Sequence, residues 1–231
     1  DGYVNCVKKV SKKYSFEEHL KALIIALLSN HRWGDNNIRE NMDAIDEIFH
    51  NYNKNYLKVV EPSVLVNKLR KIHCTNPMIS YQMKALSKNI MVLEQIEKDY
   101  GSLDKFVSKE KPNDIANMFN SGKYKLIQVG RAFAYDYLKR VGVNTCKKSS
   151  QLERLFGSHR LGIVENANAT EQQVLNIIKK IAELNNCDEI IVESIIQQFC
   201  LLRSANICGE HPNCEKCKIR NYCHYNKRYD D

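Results

Sequence analysis

Four of the nine cysteines fall in one short segment near the end of the chain, with the spacing Cys208-x5-Cys214-x2-Cys217-x5-Cys223. A C-x2-C pair closes a small chelate ring around a metal, and two flanking cysteines can complete a tetrahedron of thiolates. Four thiolates suit either zinc or an iron–sulfur cluster. The segment 208–223 therefore predicts a metal-binding loop, and the residues alone leave both metals open.

The remaining cysteines give no comparable pattern. The chain has nine cysteines, an odd number, and no secretory signal is evident. Both observations argue against a disulfide scaffold. Each remaining cysteine is most simply interpreted as a small buried apolar residue. They are Cys6, Cys74, Cys146, Cys187 and Cys200.

The rest of the sequence is typical of an all-α protein. Only 9 glycines and 4 prolines punctuate 231 residues, too few for a chain of many short strands. Apolar residues recur at helical spacing in about ten segments. Ser15 with Glu18, and Thr170 with Gln173, form candidate capping boxes, and Gly101 is placed to end a long helix. The sequence predicts an all-α fold of about ten helices joined by short loops.

Charge and hydropathy narrow the class of partner. The net charge is +8, which favours a partner rich in phosphate. The longest apolar run, Ala22 to Leu28, is too short to cross a bilayer, so no membrane contact is expected. Because the chain begins at Asp1 rather than Met, we interpret it as trimmed or cut from a longer protein.

The cysteine-rich tail after an all-α chain resembles endonuclease III and its relatives, in the helix-hairpin-helix DNA glycosylase superfamily. Their usual loop is C-x6-C-x2-C-x5-C around a 4Fe–4S cluster, and the first gap here is one residue shorter. The resemblance implies a 4Fe–4S cluster on Cys208, Cys214, Cys217 and Cys223, with zinc as the alternative. It also implies a DNA-contacting loop, to which Lys216, Lys218 and Arg220 bring positive charge.

A second segment, "LIQVGRAFAYDYL" from Leu126 to Leu138, resembles the family's hairpin "LPGVGRKTA". The hairpin's backbone N–H groups and helix N-terminus can hold a DNA phosphate without reading base sequence. The resemblance therefore implies DNA contacts at Gln128, Gly130 and Arg131. Ile127 and Gln128 stand where the family usually has Pro and Gly.

The family's catalytic residues are substituted. Ala132 occupies the position of the lysine that forms a Schiff base in bifunctional members, so lyase chemistry from that position is excluded. "KKSSQLERLFG" resembles the family's "KPDxHLxRxLG", which places Ser149 at the catalytic aspartate; a competing alignment places Asn144 there. The candidate catalytic residues are Ser149, Asp136, Glu153 and Asp35.

Further DNA contacts are implied by two shorter matches. "LLSNHRWGD" resembles the family's "LLSAQATD", whose Gln fills the gap left by a flipped base. His31 falls at that wedge position, and Arg32 and Trp33 add a cation and a stacking surface. "YQMKALSKN" resembles a helix start at which Gln82 and Lys84 can contact phosphates, and Lys147 and Lys148 are further candidates.

The expected architecture has two helical lobes with a DNA cleft between them. Residues 30–143 would form a six-helix-barrel-like lobe containing the hairpin at about 120–140. Residues 1–29 plus 144–231 would form the cluster lobe. The implied function is a monofunctional DNA glycosylase acting on double-stranded DNA in base excision repair, as an intracellular, cytoplasmic or nucleoid-associated monomer. The alternatives are a catalytically inactive member that recognises modified or distorted DNA, and a zinc-bearing module unrelated to DNA.

Overall fold

The computed structural model describes residues 13–29, 34–145, 149–201 and 205–227, without the side chains of residues 34 and 35. Within these ranges the prediction of an all-α chain is confirmed, since thirteen α-helices and no strand are present. None of the described helices combines the length and apolar character required to cross a membrane. The chain divides into two compact units, one within residues 7–143 and one that begins at Asn144.

The N-terminal unit contains nine α-helices. They are α1 (Phe16–Leu28), α2 (Gly34–Glu40), α3 (Met42–Ile48), α4 (Lys54–Val59), α5 (Pro62–Lys71), α6 (Ile79–Tyr100), α7 (Leu103–Lys109), α8 (Pro112–Asn120) and α9 (Arg131–Arg140). The capping box of Ser15 and Glu18 is confirmed at the start of α1. Gly101 ends α6 with φ 81°, a left-handed conformation that glycine adopts without steric cost.

Helix α1 lies in the N-terminal unit, not with the cluster lobe in which it was expected. Helix α1 buries ten of its thirteen residues and packs against α6 and α9 inside the N-terminal unit, whereas residues 1–29 were assigned to the cluster lobe. A helix that is apolar on nearly all sides needs neighbours on all sides. The helical spacing of Ile38, Met42, Ile45 and Phe49 predicts one continuous helix over 37–52, but the structure divides this segment. Asn41 lies between α2 and α3, and its side-chain amide shares the carbonyl of Asn37 with its own backbone N–H.

A buried polar network ties α1 to α7 and α9. His19 is fully buried, with its Nε2 at 3.0 Å from Asp104 Oδ1 and its Nδ1 at 2.7 Å from the hydroxyl of Tyr137. The other oxygen of Asp104 accepts the backbone N–H of Tyr14 at 2.8 Å. If Nε2–H donates to the carboxylate, Nδ1 accepts from Tyr137, so a neutral His19 satisfies every group.

This network predicts acid sensitivity of the N-terminal unit. Burial lowers the pKa of His19 from its usual 6.5, against the opposing effect of Asp104. The unfolded chain therefore binds a proton below about pH 6.5 that the folded chain resists. We expect the free energy of unfolding to fall as the pH drops through that value and to level off below the folded pKa. Urea unfolding between about pH 8 and pH 5.5 measures the slope, and His19→Gln must reduce it.

The C-terminal unit contains four α-helices and the cysteine-rich tail. The helices are α10 (Ser150–Phe156), α11 (Glu171–Leu184), α12 (Glu189–Cys200) and α13 (His224–Lys227). The predicted capping box of Thr170 and Gln173 is confirmed at the start of α11. The core of the unit is formed mainly by α10, α11 and α12, and it includes Cys200 and Cys208. The tail is therefore anchored in the hydrophobic core at its first cysteine.

Candidate nucleic-acid interface and metal centre

Helices α8 and α9, joined by residues 121–130, form a helical hairpin, called here the hairpin. Its turn alternates between buried and exposed residues. Leu126 and Val129 are buried at 1% and 3% exposure, whereas Ile127, Gln128 and Gly130 face solvent. The two apolar residues fix the turn to the core, so the backbone between them is presented outward.

Gln128 adopts a left-handed backbone conformation, with φ 61°. A non-glycine residue with positive φ is uncommon because its Cβ crowds the following carbonyl. Gln128 therefore occupies a position at which glycine would be less strained. The strain is tolerated because the residues on either side are held by packing and by hydrogen bonds.

Relief of this strain gives a testable prediction. Gln128→Gly is expected to raise the free energy of unfolding by about 0.5–1 kcal/mol, the balance of the left-handed penalty and the greater chain entropy of glycine. Urea unfolding measures the difference. Lys125→Gly, an exposed site in the same turn with no positive φ, should be neutral or destabilising. Equal effects at both positions would contradict a specific role for the backbone of residue 128.

A buried amide holds the turn in place. Asn89 of α6 is fully buried; its Nδ2 donates to the carbonyl of Ile127 at 2.9 Å, and its Oδ1 accepts the N–H of Ile127 at 2.7 Å. One side chain thus satisfies both backbone groups of the residue that precedes Gln128. The turn is fixed to the longest helix of the N-terminal unit.

The start of α9 is open. Gly130 is its N-cap, no side chain caps the helix there, and a Cβ added to Gly130 would meet nothing within 4 Å. An anion could approach the helix N-terminus closely. The guanidinium of Arg131 is used within the hairpin, where it bonds to Asn117 and, at 2.7 Å, to Asn113. Ala132, at the position of the family lysine, is exposed.

The three described candidates for catalysis have structural roles. Ser149 is the N-cap of α10, and its Oγ accepts the N–H of Leu152 at 3.3 Å. Glu153 is half-buried in the first turn of the same helix. Asp136 is in the N-terminal unit and pairs with Arg140 at 3.3 Å. Arg140 in turn donates to Ser29 Oγ at 2.9 Å.

The other predicted contacts are only partly described. Lys84 is exposed on α6, as a phosphate contact requires, but Gln82 is 1% exposed and accepts a hydrogen bond from Asn76, so it cannot contact phosphate. Asn144 accepts the N–H of Ile190 near the start of α12 at 3.4 Å. His31, Arg32, Trp33, Lys147 and Lys148 lie outside the described residues, as does the side chain of Asp35.

A cavity of about 540 Å³ opens in the N-terminal unit beside the end of α1. Leu28, Ile38 and Ile79 form apolar parts of its wall, and Asn76 is a buried polar residue in the lining. Its rim carries the exposed Arg70 and His73. The combination of apolar walls, amides and basic groups suits a flat, polar-edged ligand.

Residues 208–223, called here the cysteine loop, bring their four thiols into mutual electrostatic range. Burial raises the pKa of Cys214, and neighbouring thiolates at Cys223, Cys217 and Cys208 raise it further. Cys223 Sγ donates to the backbone carbonyl of Arg160 at 3.1 Å. The loop contains two short 3₁₀ turns, Cys214–Lys216 and Arg220–Tyr222.

A fifth thiol touches the loop. Cys200, the last residue of α12, is buried and shares a hydrogen bond with Cys208, which raises the pKa of Cys200 and lowers that of Cys208. The backbone accounts for their proximity, because the N–H of Cys208 returns to the carbonyl of Phe199 at 3.2 Å. The sequence interpretation of Cys200 as an isolated apolar residue missed this contact.

The donor set of the cysteine loop fits a metal–thiolate centre in its chemistry. In the described ranges, however, no three His, Cys, Asp or Glu side chains converge in a metal-binding arrangement. The Cys223 thiol instead uses its proton on the Arg160 carbonyl. A metal ligand must be a thiolate, so metal binding requires that hydrogen bond to be released.

Asn89 was also missed, although the sequence carries a signal for it. It lies on the buried stripe of α6, between Leu86 and Leu93. An amide on an otherwise apolar stripe indicates a buried polar group that needs a partner. The partner could not be deduced, because Ile127 is 38 residues away along the chain.

Comparison of the chain with protein-family models, curated proteins and solved structures gives no match.

Proposed function

We propose that the chain is a helix-hairpin-helix protein that binds duplex DNA and excises a damaged or modified base by hydrolysis of the N-glycosidic bond. The observation that carries the proposal is the left-handed backbone at residue 128, where the family hairpin has glycine. Asn89 fixes this turn, and the uncapped start of α9 follows it. The positive φ supports the proposal, because it gives residue 128 a glycine-like backbone even though the sequence of the turn departs from the family pattern.

Binding would be dominated by phosphate contacts rather than by base readout. The hairpin offers backbone N–H groups at Gly130, and α6 offers the exposed Lys84. The cysteine loop adds the exposed cations Lys216, Lys218 and Arg220. Each phosphate that a cation neutralises releases counterions, so the affinity should fall steeply with salt.

The chemistry would be monofunctional. Ala132 has no amine for a Schiff base, so water must attack the sugar. The cavity beside α1 is large enough to receive one flipped base, with the exposed Arg70 and His73 on its rim for the polar edge of the base. The Ser149 O–H could orient a water, since its Oγ only accepts the bond from Leu152; Ser149 belongs to the C-terminal unit and the cavity to the N-terminal unit.

The cysteine loop would hold a 4Fe–4S cluster, with zinc as the alternative, on Cys208, Cys214, Cys217 and Cys223. When bound, the metal centre would cross-link the four cysteines and so stabilise the folded loop. The exposed cations of the loop would then be held in one arrangement for contact with DNA. The protein is proposed to act on DNA as a monomer.

A second candidate function is a DNA-binding protein without catalysis. Asp136 favours it, because the carboxylate is held in an ion pair with Arg140 and is not available as a base. Such a protein would recognise modified or distorted DNA through the same hairpin. The two candidates predict the same salt dependence and differ in base excision.

The decisive experiment is single-turnover excision on labelled duplexes that carry uracil, hypoxanthine, oxidised or alkylated bases, mismatches, or bulky cytosine modifications. Strand breaks that appear only after alkali would support the monofunctional glycosylase. Breaks without alkali would contradict it in favour of a lyase. Tight, salt-sensitive binding without excision would support the second candidate, and absence of duplex binding at low salt would contradict both.

A further inference from the structure

Arg160 is a buried cation without an acidic partner among the described residues. It is 8% exposed, and no carboxylate in the described part of the chain pairs with it. Its Nη1 and Nη2 reach two backbone carbonyls, His159 at 3.4 Å and Glu210 at 3.3 Å, and its side chain also comes within hydrogen-bonding range of the Cys208 thiol. Its Nε is a buried donor with no partner. A buried charge is costly unless it is paired and hydrogen-bonded, so this environment is incomplete.

The position of Arg160 points to the missing partner. Its guanidinium donates to the backbone carbonyl of Glu210, between the first two cysteines of the cysteine loop. It also lies 4.2 Å over the ring of Tyr225, just beyond the last cysteine. Its own carbonyl accepts Cys223 Sγ at 3.1 Å and the N–H of Tyr225 at 3.2 Å. One residue therefore contacts both ends of the cysteine loop.

The backbone around Arg160 is held tightly in this position. Gly162 has φ 70°, and a Cβ added to it would come within 2.0 Å of the ring of His224. A Cβ on Gly157 would come within 1.9 Å of the carbonyl of Ala167. Both glycines permit close backbone approach, so the segment 157–162 cannot move easily away from the end of the cysteine loop.

A loaded cysteine loop would supply the missing negative charge. Four thiolates carry more negative charge than one zinc ion or one cubane core neutralises, so either centre is an anion. N–H donors to the cysteine sulfurs are among the groups that set the reduction potential of such clusters. The guanidinium of Arg160 also lies within hydrogen-bonding range of Cys208, the first cysteine of the loop.

We propose that Arg160 is the counter-cation of a metal–thiolate centre in the cysteine loop and donates an N–H···S hydrogen bond from its unpartnered Nε. This rests on the proposed metal centre and extends it to a residue outside the four cysteines. Arg160 is a positioning residue, since it would act through the thiolate ligands. Packing on Tyr225 alone would leave the buried charge and the Nε donor unexplained.

The test compares loaded and metal-free protein for wild type, Arg160→Met and Arg160→Lys. In the loaded state Arg160→Met should weaken metal or cluster retention by roughly 10–100-fold, the range typical of groups that support metal ligands. If the centre is a cluster, its reduction potential should also become more negative, because a nearby cation favours the reduced form. Arg160→Lys keeps the charge, so its metal retention and reduction potential should lie between those of wild type and Arg160→Met.

The metal-free state separates this role from packing. Arg160→Met removes a buried, unpaired charge, so the metal-free variant should be as stable as wild type or more stable. A residue that only packs would destabilise both states. Lys180→Met is the control, since it removes an exposed cation on α11, outside the cysteine loop, and should leave retention and potential unchanged.

The outcomes separate the two levels of the proposal. If wild type takes up neither an iron–sulfur cluster nor zinc, the metal centre is wrong and Arg160 has no such role. If wild type is loaded and Arg160→Met retains the metal at the same potential, the role of Arg160 alone is overturned. If Arg160→Met fails to fold even without metal, that result contradicts the proposal. The stability of Arg160→Lys then measures how much of the loss is due to packing of the side chain.

Discussion

Cys208→Ala is expected to abolish stable metal binding, whereas Cys200→Ala should leave it intact. The two thiols make a matched pair, since both are buried and they share a hydrogen bond. Cys208 belongs to the cysteine loop, and its loss would leave three ligands for a four-coordinate centre. Metal affinity should fall by more than about 100-fold, beyond the effect of losing a supporting group.

The effect should extend to stability. A preformed site is absent from the unfolded chain, so metal binding stabilises the folded C-terminal unit, and Cys208→Ala removes that contribution. Cys200→Ala deletes one small buried group and should cost about 1 kcal/mol through lost packing. We therefore expect a large drop in the thermal midpoint for Cys208→Ala and a small one for Cys200→Ala.

The measurement is the iron, sulfide and zinc content per chain after anaerobic reconstitution. Absorbance at about 400 nm is the signature of a cluster. Thermal unfolding of the same samples reports stability. Equal loss of metal in both variants would mean that Cys200 is itself a ligand. Unchanged metal content in Cys208→Ala would exclude the proposed ligand set.

Helix content was predictable because its signals are local. The capping boxes at Ser15 and Thr170 and the stop at Gly101 each depend on residues within one helical turn, and the structure contains all three. The break at Asn41 was not predictable from apolar spacing, because Ile38, Met42 and Ile45 keep helical spacing across it.

The environment of the candidate site was less predictable because its partners are distant in sequence. Asn89 meets Ile127 across 38 residues, and Arg160 meets Glu210 across 50. Side-chain burial also decides function, as Gln82 shows. Its helical position allowed a phosphate contact, but the structure turns it inward to Asn76. Spacing alone cannot report which face of a helix its neighbours cover.

Asn89→Ala is expected to lower the free energy of unfolding by about 2–4 kcal/mol. The substitution leaves both the N–H and the carbonyl of Ile127 without their partner, at about 1–3 kcal/mol for each buried group. Because the Ile127 residue is 39% exposed, water can reach part of this backbone and the lower end of the range is favoured. Asn89→Asp keeps the acceptor for the N–H and loses the donor to the carbonyl.

The same substitution should weaken duplex binding by about tenfold if the hairpin holds a phosphate, since a loosened turn must be ordered on binding. Lys88→Ala, at the exposed neighbouring position, is the control for a change in α6 that leaves the turn intact. Urea unfolding and duplex affinity at fixed salt are measured on all variants, with affinity taken where each is folded. A variant that loses stability but keeps full affinity would show that DNA binds elsewhere. Unchanged stability would mean that Asn89 does not hold the turn.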